Sequence, residues 1–294
     1  MAKYFLVLIL AICFGSLIAI DYNVKVVKRP ATPILSFLDK TSTFQQIFNP
    51  SFIEASAGTG GKQGLIARTQ DCISNVGDAC VFCGGSQSKA SVLTFSEQTA
   101  NGFTVVDSSS VVFGPGDISD TWGTEDPRVQ FNPADGAYYM FYTAYNGSSI
   151  MLSLATSSNP TSSQSWTRHG PVFPTLQNTK SAALIIREKP PHYLFWGDHE
   201  IRVTKSDDLT KWASVGEVLL ETRADSFDSQ LVESGPPPLR LTTGDYLFFY
   251  NSAQLGWPQD LSTAYHVGRC GLGYFGWQGS HEDSVSLINS IDGT

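Results

Sequence analysis

Three stretches of the chain read alike: Asp135-Gly-Ala-Tyr138-Tyr-Met-Phe-Tyr142, Pro190-Pro-His-Tyr193-Leu-Phe-Trp196 and Thr243-Gly-Asp-Tyr246-Leu-Phe-Phe-Tyr250. Each is a turn signal followed by a short aromatic run, the pattern of a strand entered from a tight turn. Their first tyrosines lie 55 and 53 residues apart. After the first two copies comes a second strand-like run, residues 150–158 and 201–208, and each leads to a tryptophan, Trp166 and Trp212. A weaker first copy runs from Asn49-Pro50-Ser51 through Gly64-Leu-Ile-Ala-Arg68 to Ser91-Val-Leu-Thr-Phe95, interrupted by a cysteine-bearing insertion. Units of about fifty residues with several short strands each are the signature of propeller blades. Helical periodicity is missing over any window longer than a turn or two. The expectation is an all-β fold, a five-bladed β-propeller; a β-sandwich also spaces short strands regularly, but does not explain the repeated order of turn, strand and tryptophan.

Composition narrows the function. The chain has 294 residues, 41% hydrophobic and 16% charged, so a large core is affordable and disorder is not the main state. With 19 basic against 27 acidic residues, the net charge of −8 opposes a nucleic-acid partner, because phosphate backbones are gripped by lysine and arginine. Aromatic residues make up 12%, which suits both pleated sheets and clefts that stack on sugar rings.

Lys3 precedes an apolar run over residues 4–20 with small residues Ser16 and Ala19 near its end, which reads as a signal peptide over 1–19. Its length is also near the minimum for a membrane anchor. With cleavage the mature chain is extracellular or in the secretory lumen, without a membrane segment, and its 275 residues hold five units of about 55. A lead-in is expected over 20–47 and a single propeller domain over 48–294. Cys72, Cys80, Cys83 and Cys270 would remain, an even count consistent with two disulfides of open connectivity. Cys80-Val-Phe-Cys83 as a redox dithiol or half a zinc site is the alternative, yet it runs into Gly84-Gly85 instead of opening a helix. Asn146-Gly-Ser is a glycosylation sequon. No cofactor or metal is expected: there is no phosphate loop, and the five histidines show no ligand spacing.

In a propeller the innermost strand of each blade lines the central channel, so polar residues at equivalent positions converge. Just ahead of the aromatic strands stand Glu125-Asp126-Pro127-Arg128, Lys180-Ser-Ala-Ala-Leu184 and Glu233-Ser-Gly-Pro-Pro-Pro238, with Asn49 and Arg68 as first-copy counterparts. Aligning them on the tyrosines sets Asp126, Lys180 and Glu233 in register at 12 to 13 residues upstream. Two carboxylates facing one pocket are what glycosidic cleavage needs, one to deliver a proton and one to activate water or attack. Asp126 and Glu233 are the catalytic candidates. The bland readings are a surface turn for Glu125-Asp126-Pro127-Arg128, a solvated strand end for Lys180 and a charged hairpin for Asp198-His199-Glu200.

Taken in order, Asn49-Pro, Gly64-Leu-Ile-Ala-Arg68, Gly123-Thr-Glu-Asp126-Pro-Arg128-Val, Lys180-Ser-Ala-Ala-Leu184, Ser206-Asp-Asp-Leu-Thr-Lys-Trp212 and Ser234-Gly-Pro-Pro-Pro-Leu resemble glycoside hydrolase family 130, the mannoside phosphorylases and related mannosidases, over residues 48–274. The resemblance implies a five-bladed propeller and inverting attack on β-mannosides, with Asp126 as general acid, its proton in some members relayed through a sugar hydroxyl. It implies that Asn49, Arg68 and Asp198 line the sugar pocket and that Lys180 matches a lysine near phosphate in the phosphorylases. Glu125, Arg128 and Asn251 complete the expected substrate-binding set.

The departures point away from phosphate. Where the phosphorylases carry Tyr-His-Gly, this chain has Tyr250-Asn251-Ser252, and no arginine precedes Ser149-Ile150. Phosphate needs several positive groups and donors around it, so hydrolysis is expected, with Glu233 as base for water and Glu200 in reserve. The alternatives are a phosphorylase of the same fold, with inorganic phosphate as nucleophile, and a non-catalytic carbohydrate-binding propeller. Only 20 residues follow Tyr274, which sets the expectation of a truncated last blade.

Overall fold

The computed structural model describes residues 34–35, 44, 46–70, 73–76, 79–82, 91–225, 228–240, 242, 246–253 and 285–288. These residues contain no α-helix and are organised as consecutive antiparallel sheets. The first contains β1 (Gln46–Ile53) and β2 (Gly64–Gln70); β3 (Ile73–Val76) and β4 (Ala79–Phe82) form a separate two-stranded ladder; the first sheet resumes with β5 (Val92–Thr99), β6 (Gly102–Phe103) and β7 (Val111–Phe113). The second is a four-stranded meander of β8 (Gly123–Asn132), β9 (Ala137–Tyr145), β10 (Ile150–Ser157) and β11 (Trp166–Pro171). The third repeats it with β12 (Ala182–Ile185), β13 (His192–Trp196), β14 (Glu200–Ser206) and β15 (Glu217–Glu221). In the fourth, β16 (Leu231–Ser234) and β17 (Leu239–Arg240) flank β18 (Tyr246–Ala253), which also pairs β19 (Val285–Ile288).

The aromatic runs are the second strands of their sheets, β9, β13 and β18, and in β9 and β13 burial on both faces explains their composition. Along β9, Tyr138, Met140, Tyr142 and Ala144 pack toward the first sheet, while Tyr139 and Phe141 pack toward the third. Along β13, Leu194 and Trp196 join the second sheet, and Tyr193 and Phe195 join the fourth. Successive side chains of a strand point to opposite faces, so a strand covered on both sides is apolar throughout and loses the polar alternation of a half-exposed sheet. Three cores result, each filling the space between neighbouring sheets. Trp166 sits edge-on to Phe113 of the first sheet and Trp212 edge-on to Phe141 of the second, so each repeat tryptophan packs against the preceding sheet. This stacking of meanders is the arrangement of propeller blades.

A repeated buried tie fixes where the innermost strand of a sheet begins. Asp120 is fully buried; it accepts from Tyr142 Oη at 3.1 Å and from the backbone amides of Gly116 and Asp117, and it pairs with Arg168. Asp228, equally buried, accepts from Tyr250 Oη at 3.0 Å and pairs with Arg223. A buried carboxylate needs such partners to remain charged. Each aspartate stands five residues before a glutamate, Glu125 or Glu233, and 22 before its tyrosine. The two ties therefore anchor equivalent points of β8 and β16.

Several expectations fall elsewhere. The first strand starts at Gln46, two residues before the anticipated domain boundary at 48. The leader over 1–19, nearly all of the lead-in, Cys72, Cys83, Cys270, and a fifth unit lie outside the described residues, as do the contacts of the Cys80 side chain. Asn146 occupies the β9–β10 turn, its Oδ1 accepting from the amides of Ser148 and Ser149.

Phe195 is fully buried and tilted against Phe248 at 5.1 Å between ring centroids, at the centre of the third core. Phe195→Ala is expected to lower unfolding free energy by about 3–5 kcal/mol, read as a shift in urea midpoint at unchanged slope. A loss below about 1 kcal/mol would mean that the third and fourth sheets do not share a core.

Candidate active site

The innermost strands β1, β8, β12 and β16 come together at one end, and their sequence forces a kink there. β1 bulges between Phe48 and Ser51, β8 between Glu125 and Arg128. Both bulges contain a proline, Pro50 or Pro127, which cannot donate to the ladder. Asn49, Asp126 and Ser181 all adopt left-handed backbone, with φ of 51°, 49° and 54°. Small polar residues tolerate this region best, and a non-glycine residue held there costs about 1–3 kcal/mol. This backbone turns Asn49 onto Asp126 and Ser181 onto Glu233.

The register corrects the sequence alignment. Glu125, Lys180 and Glu233 each lie 13 residues before their tyrosine, and their cross-strand partners agree: Glu125 pairs Thr143, Glu233 pairs Asn251, and Lys180 meets Asp198. Asp126 belongs to the next ring, with Asn49, Ser181 and Ser234. An alignment of Asp126 with Lys180 and Glu233 hides this, because a one-residue slip leaves the tyrosines nearly in step.

Two polar clusters face the opening. In the first, Arg68 binds Glu125 Oε1 at 2.8 Å and Asp126 Oδ1 at 3.3 Å, and stacks over the Phe48 ring. Asn49 Nδ2 donates to Asp126 Oδ1 at 2.6 Å. Ser91 Oγ accepts from Gln70 at 2.6 Å and lies 3.3 Å from Glu125 Oε1. In the second, Lys180 Nζ sits 3.1 Å from Asp198 Oδ2 and 3.3 Å from Glu233 Oε1. Ser181 Oγ donates to Glu233 Oε1 at 2.5 Å and Asn251 Nδ2 to Glu233 Oε2 at 3.2 Å. The hairpin carrying Asp198 turns at Gly197, with φ of 117°, where an added Cβ would lie 2.3 Å from the Glu200 carbonyl.

Electrostatics distinguishes the adjacent carboxyls. Burial pushes Glu125 above the usual carboxylate range despite Arg68, and the charge of Asp126 adds to this. Burial also acts to raise Asp126, but Arg68, the Asn49 hydrogen bond, Arg128 and Lys180 together outweigh it and hold Asp126 low. Lys180 is pushed up: desolvation opposes its charge, and Glu233 and Asp198 more than restore it. Lys180 thus links the clusters, its charge acting on Glu233 by contact and on Asp126 at longer range.

Asn49, Arg68, Glu125, Asp126, Lys180, Asp198, Glu233 and Asn251 are brought into these two clusters. Arg128 is not with them: its guanidinium donates to the carbonyls of Gly235 at 3.0 Å and Pro127 at 3.1 Å, and it is 8% exposed. Expected in the sugar pocket, it instead braces the second sheet against the fourth, because buried carbonyls claim its donors. Glu200, the reserve base, is bound to Arg202 at 2.6 Å away from Glu233's partners. Sequence reasoning missed Ser181, Gln70 and Ser91. Ser181 was findable from the corrected register; the other two carry no local signal. Among the described residues no cluster of His, Cys, Asp and Glu could hold a metal ion.

Comparison with known proteins bears on this geometry. The family model of glycoside hydrolase family 130, described as β-1,4-mannooligosaccharide phosphorylase, matches residues 82–271. A glycosyl hydrolase from Bacteroides ovatus is similar at 26% identity and a TM-score of 0.56, covering 70% of this chain and 60% of its own. A structure reported with the finding that this family of mannoside phosphorylases contains glycoside hydrolases targeting β-1,2 mannosidic linkages in Candida mannan shares 25% identity and a TM-score of 0.55, covering 70% and 60%. β-1,2-Mannobiose phosphorylase from Listeria innocua, at 17% identity and a TM-score of 0.59 over 76% and 73%, shares the fold. The chain spans about three fifths of the length of the first two. No curated protein matches.

Asn tolerates left-handed backbone as readily as Asp, so Asp126→Asn isolates the charge. A depressed carboxyl contributes stability that is present above the ordinary aspartate value and lost as pH falls through the lowered one. Asp126→Asn is expected to cost about 2 kcal/mol at pH 7, narrowing as pH drops below about 4. Urea midpoints of both proteins across that interval check this; a difference independent of pH would contradict the charge pairing.

Proposed function

We propose, from the premise that this chain belongs to glycoside hydrolase family 130, that it is a secreted glycoside hydrolase cleaving β-mannosidic bonds with inversion at the anomeric carbon. The observation that carries this reading is the pair of carboxylates, Asp126 and Glu233, on separate innermost strands with Lys180 between their clusters. Inverting cleavage needs room for the attacking water between substrate and base, and a base on a strand other than the acid's leaves that room.

In this mechanism Asp126 delivers a proton to the glycosidic oxygen, directly or through a sugar hydroxyl, as the bond to the anomeric carbon breaks. Glu233 takes a proton from the water that attacks the opposite face; exchange with solvent then removes that proton from Glu233 and returns one to Glu125, from which Asp126 draws the proton it delivers. Lys180, Ser181 and Asn251 hold Glu233 in place. Arg68 and Asn49 are aimed at Asp126 and hold its carboxyl toward the ionised form. Sugar hydroxyls that engage those donors would relax this hold, and Glu125, whose carboxyl burial pushes up, is the adjoining proton source.

Hydrolysis is favoured over phosphorolysis because Lys180 is committed to two carboxylates, Asp198 and Glu233. A phosphate at Lys180 would face both Asp198 and Glu233 as like charges. The family description as a phosphorylase keeps phosphorolysis as the second reading. Secretion rests on the leader-like run ahead of residue 20.

Release of reducing sugar and of sugar 1-phosphate from aryl β-mannosides and β-mannan oligosaccharides, with and without phosphate, tests the proposal. Phosphate-independent release is expected, falling about 10²–10⁴-fold in both Asp126→Asn and Glu233→Gln. Strict phosphate dependence would establish the phosphorylase reading. Unchanged turnover in Glu233→Gln would remove its role as base, and a folded protein that binds sugar without cleaving it would be a carbohydrate-binding propeller.

A further inference from the structure

The turn between β9 and β10 carries a motif that the cleavage chemistry leaves unused. Asn146-Gly147-Ser148 is the one Asn-x-Ser/Thr triplet of the sequence with a residue other than proline at its centre; Asn49-Pro-Ser51 and Asn159-Pro-Thr161 are closed to N-glycosylation by theirs. The turn is built on the asparagine's oxygen. Asn146 Oδ1 accepts from the backbone amides of Ser148 at 3.0 Å and Ser149 at 2.9 Å, and from the Ser148 hydroxyl at 3.0 Å. Backbone N–H groups only donate, so this oxygen is fixed in place and the amide nitrogen Nδ2, on the same carbon, points away from them. Gly147 and Ser148 are exposed. A bulky group on Nδ2 therefore leaves the hydrogen bonds of the folded turn intact.

Two aromatic rings pack on this turn. Trp122 N donates to the Tyr145 carbonyl at 2.9 Å, which ties the residue ahead of β8 to the end of β9. The Trp122 ring lies edge-on to Tyr145 at 6.5 Å between centroids, and Tyr145 Oη donates to the Gly147 carbonyl at 3.1 Å. A Cβ on Gly147 would stand 2.8 Å from Trp122 Nε1, and its φ of 93° also demands glycine, so the indole lies directly beside the sequon. Trp122 is nevertheless 45% exposed. A flat, half-exposed indole next to an asparagine open to modification is a platform on which the C–H face of a sugar stacks. The position is at the rim of the mouth: Glu125 pairs Thr143, three residues before Asn146, about 10 Å along the strand.

We propose that Asn146 carries an N-linked glycan whose first sugar lies on Trp122. The inference rests on the reading of the chain as secreted, because the transferring enzyme acts in the secretory lumen. In the transfer a bond forms between Nδ2 and the anomeric carbon of a polyprenyl-diphosphate-linked oligosaccharide. The bond from that carbon to the diphosphate oxygen breaks, the diphosphate keeps the electron pair, and Nδ2 loses one proton. The attachment point is outside both carboxylate clusters, so the glycan covers and steadies this corner of the second sheet without altering the chemical step.

Translation of the full chain with endoplasmic-reticulum microsomes tests this, read as protease protection and as the mass removed by peptide N-glycosidase. A protected chain bearing one glycan is expected. Ser148→Ala, which keeps Asn146 and its backbone hydrogen bonds, should be protected and unmodified, as should Asn146→Gln. A protected chain of unaltered mass overturns the glycan alone, as does a glycan that survives both substitutions. A chain left outside the microsomes overturns the secreted reading together with it. For protein secreted from a eukaryotic cell line, Ser148→Ala is expected to lower the thermal midpoint by about 2–4 °C with Trp122 in place and by less in a Trp122→Ala background. Equal shifts in the two backgrounds overturn the contact with Trp122.

Discussion

Burial of the second strand of a sheet on both faces is the constraint from which the rest of this structure follows. Tyr138, Met140 and Tyr142 of β9 enter one core while Tyr139 and Phe141 enter the next, and β13 divides its residues in the same way. A sheet with two apolar faces is not stable alone, since each large side chain left in water forgoes about 1.5–3 kcal/mol. It needs a neighbour on either side. Sheets stacked in this manner bring their first strands together at one end, and that convergence is what makes a polar mouth available.

The mouth uses stability that the cores supply. Asn49, Asp126 and Ser181 hold left-handed backbone at equivalent positions, which no isolated strand would maintain. The buried Asp120–Arg168–Tyr142 and Asp228–Arg223–Tyr250 ties hold the approach to β8 and β16 rigid just ahead of Glu125 and Glu233. The strain and its supports are thus neighbours in sequence. Charge is handled with equal economy: Arg68 serves Glu125 and Asp126 together, and Lys180 serves Asp198 and Glu233. Four carboxylates can share one opening because each has a cation or a hydrogen-bond donor in contact.

The aromatic repeat, the turn before each copy and the trailing tryptophans were sufficient to read the sheets, since strand alternation and turn chemistry are local properties. Asp126, Glu125, Lys180 and Glu233 were legible as a group because a repeat places equivalent residues on equivalent strands. Their mutual register was not. A one-residue slip in aligning loops of similar length put Asp126 beside Glu233, and only the ladder pairings, Glu125 with Thr143 and Glu233 with Asn251, restored it. Arg128 shows the complementary failure: next to the catalytic candidate in sequence, it turns away because the Gly235 carbonyl of another sheet needs a donor.

What the sequence determined by itself is the periodic part: an all-β chain of repeated aromatic strands, a family resemblance carried by short motifs, and a set of polar residues at the head of each repeat. What the tertiary structure decided is which of these residues meet. Asn49 reaches Asp126 across 77 residues and Ser181 reaches Glu233 across 52, contacts fixed by the stacking of sheets and by bulges whose direction no local pattern encodes. The physical reason is that backbone propensity acts over a few neighbours, whereas a shared charge site is set by where separately folded sheets come to rest against one another.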